Sequence, residues 1–316
     1  SINHRYNEHM INKIGYLKWV GFFLILLVLF SGFVFNTAGF TALKSYGEAP
    51  TYKVYALDLP DTLNFADEKI SLSSPDLKER LDRELLVNTY WQSNMMLLLK
   101  RANKYFPTIE KILKEEGVPS DLKYLSVIES GLENAISPAG AKGFWQIMRT
   151  TGKEYGLEVN SNVDERYHIE LSTRMAAKYL KKAKNKFGSW TLAVASYNRG
   201  IRGIQRNLNQ QKVENYFDLR LGKETSRYVF RVLAVKEIIE NPMKYGYVYD
   251  HTDLYYPVPV RYHGLDTAIS NLATFAKKMG VNYKILKIHN PWLLQNHLNN
   301  KSRKYYEIAI PEKGYY

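Results

Sequence analysis

One acidic residue, Glu129, lies in an apolar helical pattern and is the residue of this chain best suited to acid–base chemistry. Leu122, Leu125 and Glu129 stand at positions i, i+3 and i+7, so we expect the carboxyl group on the buried face of a helix. Burial disfavours the charged form of a carboxyl group and therefore raises its pKa. A raised pKa is what a general acid working near neutral pH requires.

The helix that carries Glu129 has recognisable start and stop signals. Pro119 and Ser120 precede it, and Gly131 follows it. Ser is favoured at helix N-caps, and Gly is favoured where a helix ends in the left-handed conformation. The acid is therefore predicted to lie in the last turn of a short helix.

Helical spacing also predicts the elements that position this acid. A helix starts at Ser74-Pro75-Asp76 and is interrupted at Pro107, and strands with a two-residue period are absent from residues 74–246. This region is predicted to be an all-α domain. The remaining predicted helices are Thr108–Glu116, Ile169–Phe187, Trp190–Tyr197 and Glu224–Ile239.

The regions on either side of this domain differ from it in character. Residues 37–73 contain scattered Pro and Ser without a sustained period, which indicates a linker. After residue 247, an extended segment 255–262, a short helix Thr267–Lys278 and a strand Tyr305–Ile310 predict a small α+β C-terminal extension, residues 247–316.

Composition excludes several kinds of chemistry. The 316 residues contain no Cys, which rules out disulfides, thiolate catalysis, Cys-ligated zinc and a lipid-modified Cys anchor. The seven His show no metal-ligand spacing, so we predict no metal and no cofactor. The net charge of +13 is spread along the chain without a nucleic-acid motif, so no nucleic-acid partner is predicted.

An uncharged apolar run near the start of the chain indicates a targeting segment. Residues 19–36 carry no charge, and Arg5, Lys13 and Lys18 precede them. The length is at the lower limit for a membrane span, and the basic flank places residues 1–18 in the cytoplasm. A cleaved signal peptide, with its cleavage site near 36–38, is the alternative.

Short Gly-containing segments farther along the chain could line a ligand cleft beside Glu129, because close backbone approach leaves room for a ligand. They are residues 137–143, 143–146, 195–200 and 224–229. The amides of Gln146 and Asn198 suit hydroxyl and acetamido groups, and the rings of Trp145, Tyr197 and Tyr228 suit sugar faces. The combination predicts a sugar-binding cleft, although a lone Trp in a helical protein is more often a core residue.

In their order along the chain, these segments resemble the lytic transglycosylases of the lysozyme-like superfamily, in particular the membrane-bound type D branch. The resemblance covers about residues 85–250 and implies a lysozyme-like, all-α catalytic domain. Its motifs are GVPSDLKYL at 117–125, VIESGL at 127–132, SPAGAKGFWQIM at 137–148, VDER at 163–166, ST at 172–173, ASYNRG at 195–200, ETSRYV at 224–229 and NPMKYG at 241–246.

The resemblance also implies roles for individual residues. It makes Glu129 the single catalytic acid and base, with peptidoglycan glycan strands as the substrate and 1,6-anhydromuramoyl ends as the product. The substrate-binding positions that we predict are Ser130, Ser137, Gly143, Trp145, Gln146, Met148, Tyr197, Asn198, Glu224 and Tyr228. The implied location is the bacterial inner membrane, with the catalytic domain in the periplasm, or the periplasm itself if residues 19–36 are cleaved.

Most glycosidases use two carboxylates, so the other acids near Glu129 need to be weighed. Glu133 is expected to face solvent, and Asp164 to form a surface or capping cluster with its neighbours Glu165 and Arg166. Glu224 shares a helical face with Tyr228 and is expected to point inward, most simply as a structural acid. Two alternatives stay open: a water-using muramidase with Glu224 or Asp164 as base, and a catalytically silent glycan-binding protein.

The sequence also departs from the resembling family in two places. Ser196 and Arg199 replace two Ala of the usual motif, and the C-terminal extension is a single short unit where type D relatives have repeated LysM modules. The extension is therefore expected to be at most a degenerate LysM-like module.

Overall fold

A computed structural model describes residues 54–316 of the chain, and Ala56–Tyr316 form one compact unit. Within residues 54–316, no helix is both long enough and apolar enough to cross a bilayer. The predicted cytoplasmic segment 1–18 and the predicted span 19–36 lie outside the described residues.

The predicted all-α region is confirmed. Six helix-forming segments surround two central helices, α6 and α8, whose side chains are buried along most of their length. The helices are α1 Pro75–Tyr90, α2 Gln92–Glu115, α3 Tyr124–Ser130, α4 Arg149–Glu154, α5 Ile169–Phe187, α6 Trp190–Arg199, α7 Ile201–Gln211 and α8 Lys223–Glu240.

Local capping explains several helix boundaries. The Ser74 hydroxyl accepts a hydrogen bond from the backbone N–H of Leu77, as its position before Pro75 predicted. Ser189 caps α6 in the same way, and Gly188 ends α5 in the left-handed conformation with φ +70°. The predicted bounds of α5 are confirmed at both ends.

The predicted helix break at Pro107 is wrong. Pro107 lies inside α2, and the chain instead turns at Trp91, between α1 and α2. A proline removes one backbone hydrogen bond from a helix, but the buried face of α2 continues past it through Phe106 and Ile109. Burial of that face offsets the loss of this hydrogen bond. The spacing of apolar residues in the sequence does not reveal this compensation.

The predicted linker 37–73 is wrong at its C-terminal end. Strands β1 Thr62–Phe65 and β2 Glu68–Ser71 form an antiparallel hairpin, and Phe65 is fully buried. The Glu68 carboxylate accepts hydrogen bonds from the backbone N–H groups of Trp190 and Thr191, at the N-terminus of α6. The hairpin is therefore part of the helical fold, and its carboxylate supports the start of a central helix.

Two helices of the all-α region, α4 and α7, were not predicted. In α7 the buried residues Ile204 and Leu208 are four positions apart, so an amphipathic signal exists in the sequence. Helix α4 has six residues, which is too short for such a pattern to be distinctive.

The C-terminal extension is a small α+β unit, as predicted. It contains β3 Val260–Leu265, α9 Leu272–Lys278, α10 Tyr283–His289 and β4 Tyr306–Pro311. The two strands pair antiparallel, with Val260 opposite Pro311 and Leu265 opposite Tyr306. The predicted extended segment becomes a strand only from Val260, and α10 was not predicted.

Candidate active site

Glu129 lies in the last turn of α3, which ends at Gly131 in the left-handed conformation with φ +63°. Its side chain is half-buried, and its carboxyl group accepts a hydrogen bond from the Tyr228 hydroxyl. Burial raises the pKa of Glu129 to about 7, while the Tyr228 hydrogen bond and Arg231 oppose that increase. Near neutral pH the group is therefore divided between its acid and carboxylate forms.

Tyr228 and Tyr197 are two aromatic residues on whose pKa values the charge of Glu129 acts. Burial and then the charge of Glu129 raise the pKa of both phenols well above their ordinary value, so both keep their protons. Tyr228 is buried in α8 and donates to Glu129, and Tyr197 donates to the carbonyl of Trp145 at 2.8 Å. Tyr228 therefore contacts the acid through its hydroxyl. Its buried ring face is not available to a sugar, so the predicted use of this ring as a sugar platform is wrong.

Trp145 is a core residue. Its side chain is 0% exposed, and its indole N–H donates to the Thr173 hydroxyl at 2.9 Å. The prediction of Trp145 as a flat ligand surface is therefore wrong, because packed side chains cover the ring. Its role at the site is through its backbone carbonyl, which holds Tyr197.

The segment 137–148, which we call the cleft loop, carries several predicted binding residues. Gly143 adopts φ +81°, and a Cβ atom there would lie 2.0 Å from the carbonyl oxygen of Arg166. Gln146 also has positive φ, and its side-chain amide donates to the carbonyls of Ala135 and Gly143. The loop is therefore fixed by its own hydrogen bonds, and Gly143 is the residue type that its geometry requires.

The other predicted residues of the cleft loop and of α3 have identifiable positions. The Ser137 hydroxyl accepts from the backbone N–H of Ala141, and Met148 is exposed where the loop enters α4. The Ser130 hydroxyl donates to the carbonyls of Ser126 and Phe144, so it connects the Glu129 helix to the cleft loop.

Asn198 lies at the end of α6 with an exposed side chain. Its side-chain oxygen accepts from the Thr225 hydroxyl at 2.8 Å, at the start of α8. This bond joins the ends of the two central helices and leaves the amide N–H₂ group of Asn198 directed away from Thr225.

The prediction that Glu224 points inward is wrong. Its side chain is 63% exposed and forms an ion pair with Arg231 at 3.2 Å. Glu224 lies on the exposed side of the first turn of α8, although its neighbour Thr225 is buried, so its periodicity with Val232 does not bury it. Arg231 also donates to the carbonyl of Ile128, next to Glu129 in the chain. Glu133, as predicted, faces solvent, where it pairs with Arg101.

The cluster Asp164–Arg166 was expected to be a surface or helix-capping cluster. It is self-paired and Asp164 caps the short helical turn Glu165–Tyr167, but the cluster is buried and not at the surface. Asp164 is 2% exposed, and both of its carboxylate oxygens accept from the Arg166 guanidinium, at 2.9 and 2.8 Å. Arg166 also donates to the carbonyls of Gly140 and Ile147, at 3.1 and 3.2 Å. Arg166 therefore supports the cleft loop from its inner side, a function that we did not predict.

The C-terminal unit contacts the same buried segment. The backbone N–H of Asp164 donates to the carbonyl of Trp292, and the Asn162 side chain exchanges hydrogen bonds with the backbone of His297 and Asn299. Lys304 forms ion pairs with both Glu158 and Glu165. Hydrogen bonds thus connect the C-terminal unit to the segment 158–166, and this segment to the cleft loop.

Around Glu129 the structure therefore collects Tyr228, Arg231, Glu224 and Tyr197; the charge of Glu224 acts on Glu129, and the charge of Glu129 acts on Tyr197. The cleft loop with Ser137, Gly143, Gln146 and Met148 contacts this group through Ser130 and Tyr197. Within the part of the chain that the structure describes, no cluster of His, Asp and Glu has the geometry of a metal site.

Comparison with known families and proteins identifies two regions of this chain. Residues 106–219 match the model described as "Transglycosylase SLT domain". Residues 261–314 match the "Soluble lytic transglycosylase C-terminal LysM-like domain". The first match contains Glu129, and the second covers the small α+β unit.

Curated relatives show the same similarity. The chain is 28% identical over 262 residues to the "Membrane-bound lytic murein transglycosylase D" of Escherichia coli K12, which covers 80% of this chain and 56% of that protein. A "Putative tributyltin chloride resistance protein" of Alteromonas is 27% identical over 114 residues, which cover 35% of this chain and 55% of that protein. The chain thus spans little more than half the length of these relatives.

Solved structures with weaker similarity include two lytic transglycosylases. An inactive mutant of Slt from Pseudomonas aeruginosa is 23% identical with a TM-score of 0.35, over 48% of this chain and 26% of that one. The 70 kDa soluble lytic transglycosylase of Escherichia coli is 19% identical with a TM-score of 0.38, over 52% of this chain and 31% of that one.

The family matches and the curated relatives agree with the motifs of the sequence. The predicted resemblance to the lytic transglycosylases is therefore confirmed: residues 106–219 match the SLT domain, residues 261–314 match the LysM-like domain, and the Escherichia coli relative is of the membrane-bound type D.

Proposed function

We propose that the chain is a peptidoglycan lytic transglycosylase. It cleaves the β-1,4 bond between N-acetylmuramic acid and N-acetylglucosamine and leaves a 1,6-anhydromuramoyl end. The observation that carries this proposal is the half-buried carboxyl group of Glu129, with a pKa of about 7, inside the SLT domain. The similarity to the Escherichia coli protein named as a lytic murein transglycosylase supports it.

In the first step, Glu129 acts as a general acid. The Tyr228 hydroxyl donates to one carboxyl oxygen of Glu129, so the other oxygen carries the proton that passes to the glycosidic oxygen. The bond between that oxygen and C1 of the muramoyl residue breaks, and positive charge develops at C1. The N-acetylglucosamine residue leaves with the proton of Glu129 on its oxygen.

In the second step, Glu129 acts as a general base. As a carboxylate it takes the proton of the C6 hydroxyl of the muramoyl residue, and O6 bonds to C1, which closes the anhydro ring without water. Tyr228 and Arg231 stabilise this carboxylate, since both favour the charged form of Glu129. A nucleophile that is part of the substrate has a large entropic advantage over a free water molecule.

The water-using alternative has less support, because it needs a second carboxylate that can act as a base. Asp164 is buried and bonded to Arg166 through both oxygens, so it has no access to water or substrate. Glu224 is exposed and paired with Arg231, and its charge raises the pKa of Glu129. We therefore assign both proton transfers to Glu129.

The proposed site of action is the periplasmic face of the inner membrane, where residues 19–36 anchor the chain or direct its export. The support is the uncharged apolar run with its preceding basic residues and the name of the relative, which describes a membrane-bound enzyme. Extraction of membranes with alkaline carbonate tests the anchor: an anchored chain stays in the pellet, whereas a cleaved chain is released.

The activity is tested by digestion of purified sacculi and mass spectrometry of the products. The wild-type chain is expected to give anhydromuramoyl ends, whereas Glu129→Gln gives none. Glu133→Gln, at a solvent-facing acid four residues away, is the matched control and keeps its activity. Products heavier by one water molecule would instead support the muramidase, and full turnover by Glu129→Gln would contradict the assignment of Glu129.

A further inference from the structure

A cavity of about 210 Å³ lies between the C-terminal unit and the helical domain, away from Glu129. One wall is the face of the β3–β4 sheet that carries Val260, Tyr262, Glu307 and Ala309. Residues on the opposite face of β4, such as Ile308, belong to the core of the C-terminal unit. The sheet therefore has one face in its own core and the other in this cavity.

The opposite wall comes from the helical domain and is largely aromatic. Tyr105 of α2 and Phe144 of the cleft loop form an edge-to-face pair with ring centroids 4.8 Å apart. Tyr167 and Trp292 also line the cavity. Such walls suit a ligand with an apolar body.

Lys104, one of the lining residues, is a cation that has no counter-ion among residues 54–316. No carboxylate of these residues lies within ion-pair distance of it, and its ammonium group lies 5.1 Å from the centre of the Tyr105 ring. Burial and then the charge of Lys104 lower the pKa of His289, another lining residue, so the two groups are neighbours. Lys104 is therefore able to receive a carboxylate.

Two carboxylates, those of Glu170 and Glu307, also line the cavity. Glu170 accepts a hydrogen bond from the Tyr262 hydroxyl, and the side chain of Glu307 has no hydrogen bond or ion pair within the described residues. Burial, followed by the charges of Glu170 and Glu307, raises the pKa of Tyr262 to about 12, so both carboxylates lie near this ring. Together they are able to receive an ammonium group.

The cavity also communicates with the region of the active site. A neighbouring depression shares Lys104, Tyr105, Asn134 and Phe144 with it and extends to residues 132–135. These residues follow directly after the Glu129 helix, and the carbonyl of Ala135 accepts from Gln146 of the cleft loop. A substituent on a glycan strand bound near Glu129 is thus able to lie along this depression and reach the cavity.

We propose that this cavity binds the peptide stem of the substrate by a zwitterionic end, with Lys104 on its carboxylate and Glu307 and Glu170 on its ammonium group. The inference rests on the proposed function, because it takes peptidoglycan as the substrate. Diamino-acid side chains that end in both groups have this chemistry. The cavity is then a specificity site for peptide-bearing glycan, separate from the acid that cleaves the bond.

The test is isothermal titration calorimetry on the full chain with two stem tetrapeptides. One contains diaminopimelate, whose side chain ends in an ammonium and a carboxylate group, and the other contains lysine, which lacks that carboxylate. The diaminopimelate peptide is expected to bind at least about tenfold more tightly, a difference of about 1.4 kcal/mol. Lys104→Met is expected to remove that preference, and Glu307→Gln to weaken both peptides.

Chitotetraose, a glycan without peptide, is the control ligand, and cleavage of peptide-free glycan strands is the control activity. Both are expected to change less than twofold in Lys104→Met and Glu307→Gln, because neither side chain contacts the Glu129 group. Equal affinity of the two peptides for the wild-type chain, or unchanged peptide binding in both variants, would overturn the proposal. Loss of the lytic activity itself would be seen separately, on peptide-free strands.

Discussion

Two carboxyl groups of this chain lie in low-dielectric surroundings near the cleft loop, and they differ in their hydrogen-bond partners. Glu129 accepts a hydrogen bond from a neutral phenol, and burial raises its pKa to about 7. Asp164 is more deeply buried, but both of its oxygens are bonded to the Arg166 guanidinium. Burial produces a proton donor only where no bound cation compensates the charge.

The two groups also act on the same loop from different sides. Asp164 orients Arg166, which holds the carbonyls of Gly140 and Ile147. Glu129 is joined to the loop through its neighbour Ser130, whose hydroxyl donates to the carbonyl of Phe144. One acid therefore has a structural role and the other is free for chemistry, and four predictions test this division.

The largest effect is expected for Glu129→Gln on turnover. Glutamine keeps the shape of the side chain but has no acidic proton to give, so kcat on peptide-free glycan should fall by about 10³-fold or more. The measurement is release of anhydromuramoyl ends over time, with Glu133→Gln as control. A loss below about tenfold would remove Glu129 from its catalytic role.

Asp164→Asn is expected to affect stability more than chemistry. The change leaves the buried Arg166 without its counter-ion, which should lower the free energy of unfolding by about 3–5 kcal/mol. Urea denaturation measures this. The folded fraction of Asp164→Asn should retain turnover within about tenfold of the wild type. A loss of stability below about 1 kcal/mol would show that the Asp164–Arg166 ion pair does not stabilise the fold.

Glu129 itself is expected to make stability depend on pH. Its pKa is raised from 4.5 to about 7 by folding, so the folded state binds the proton more tightly than the unfolded state. The contribution of Glu129 to stability is therefore largest below about pH 4.5 and is lost as the pH rises through 7. Glu129→Gln should become more stable than the wild type by about 1–3 kcal/mol at pH 8 but not at pH 4.5. Denaturation curves at both pH values would contradict this if they showed the same difference.

Tyr228→Phe is expected to have the smallest effect, a shift in the pH profile. The phenol favours the carboxylate form, so its loss should raise the pKa of Glu129 and move the alkaline limb of kcat/KM upward by about one unit, or about 1.5 kcal/mol. Turnover should also fall, since the carboxylate that acts as base loses a hydrogen bond. A limb that moves to lower pH would mean that Tyr228 does not act through Glu129.

Local patterns in the sequence determined a large part of this protein. The capped start at Ser74, the bounds of α5 and the stop at Gly131 depend on residues within a few positions of one another. The same holds for the placing of Glu129 on an apolar helix, and the ordered motifs around it predicted the similarity to lytic transglycosylases that the SLT domain match confirms. Helices with strong periods and caps are specified locally, so one sequence is enough to find them.

Only the tertiary structure decided the features that depend on contacts distant in the chain. The hairpin 62–71 is ordered because Phe65 enters the core and Glu68 caps α6, more than a hundred residues away. Trp145 and Asp164 are interior because other elements cover them, whereas Glu224 is exposed because it lies on the uncovered side of the first turn of α8. Periodicity shows which face of a helix is apolar, but the extent of the covering surface is a property of the assembled fold. For that reason the sequence could name the reactive acid, and only the fold could show which of its neighbours share its environment.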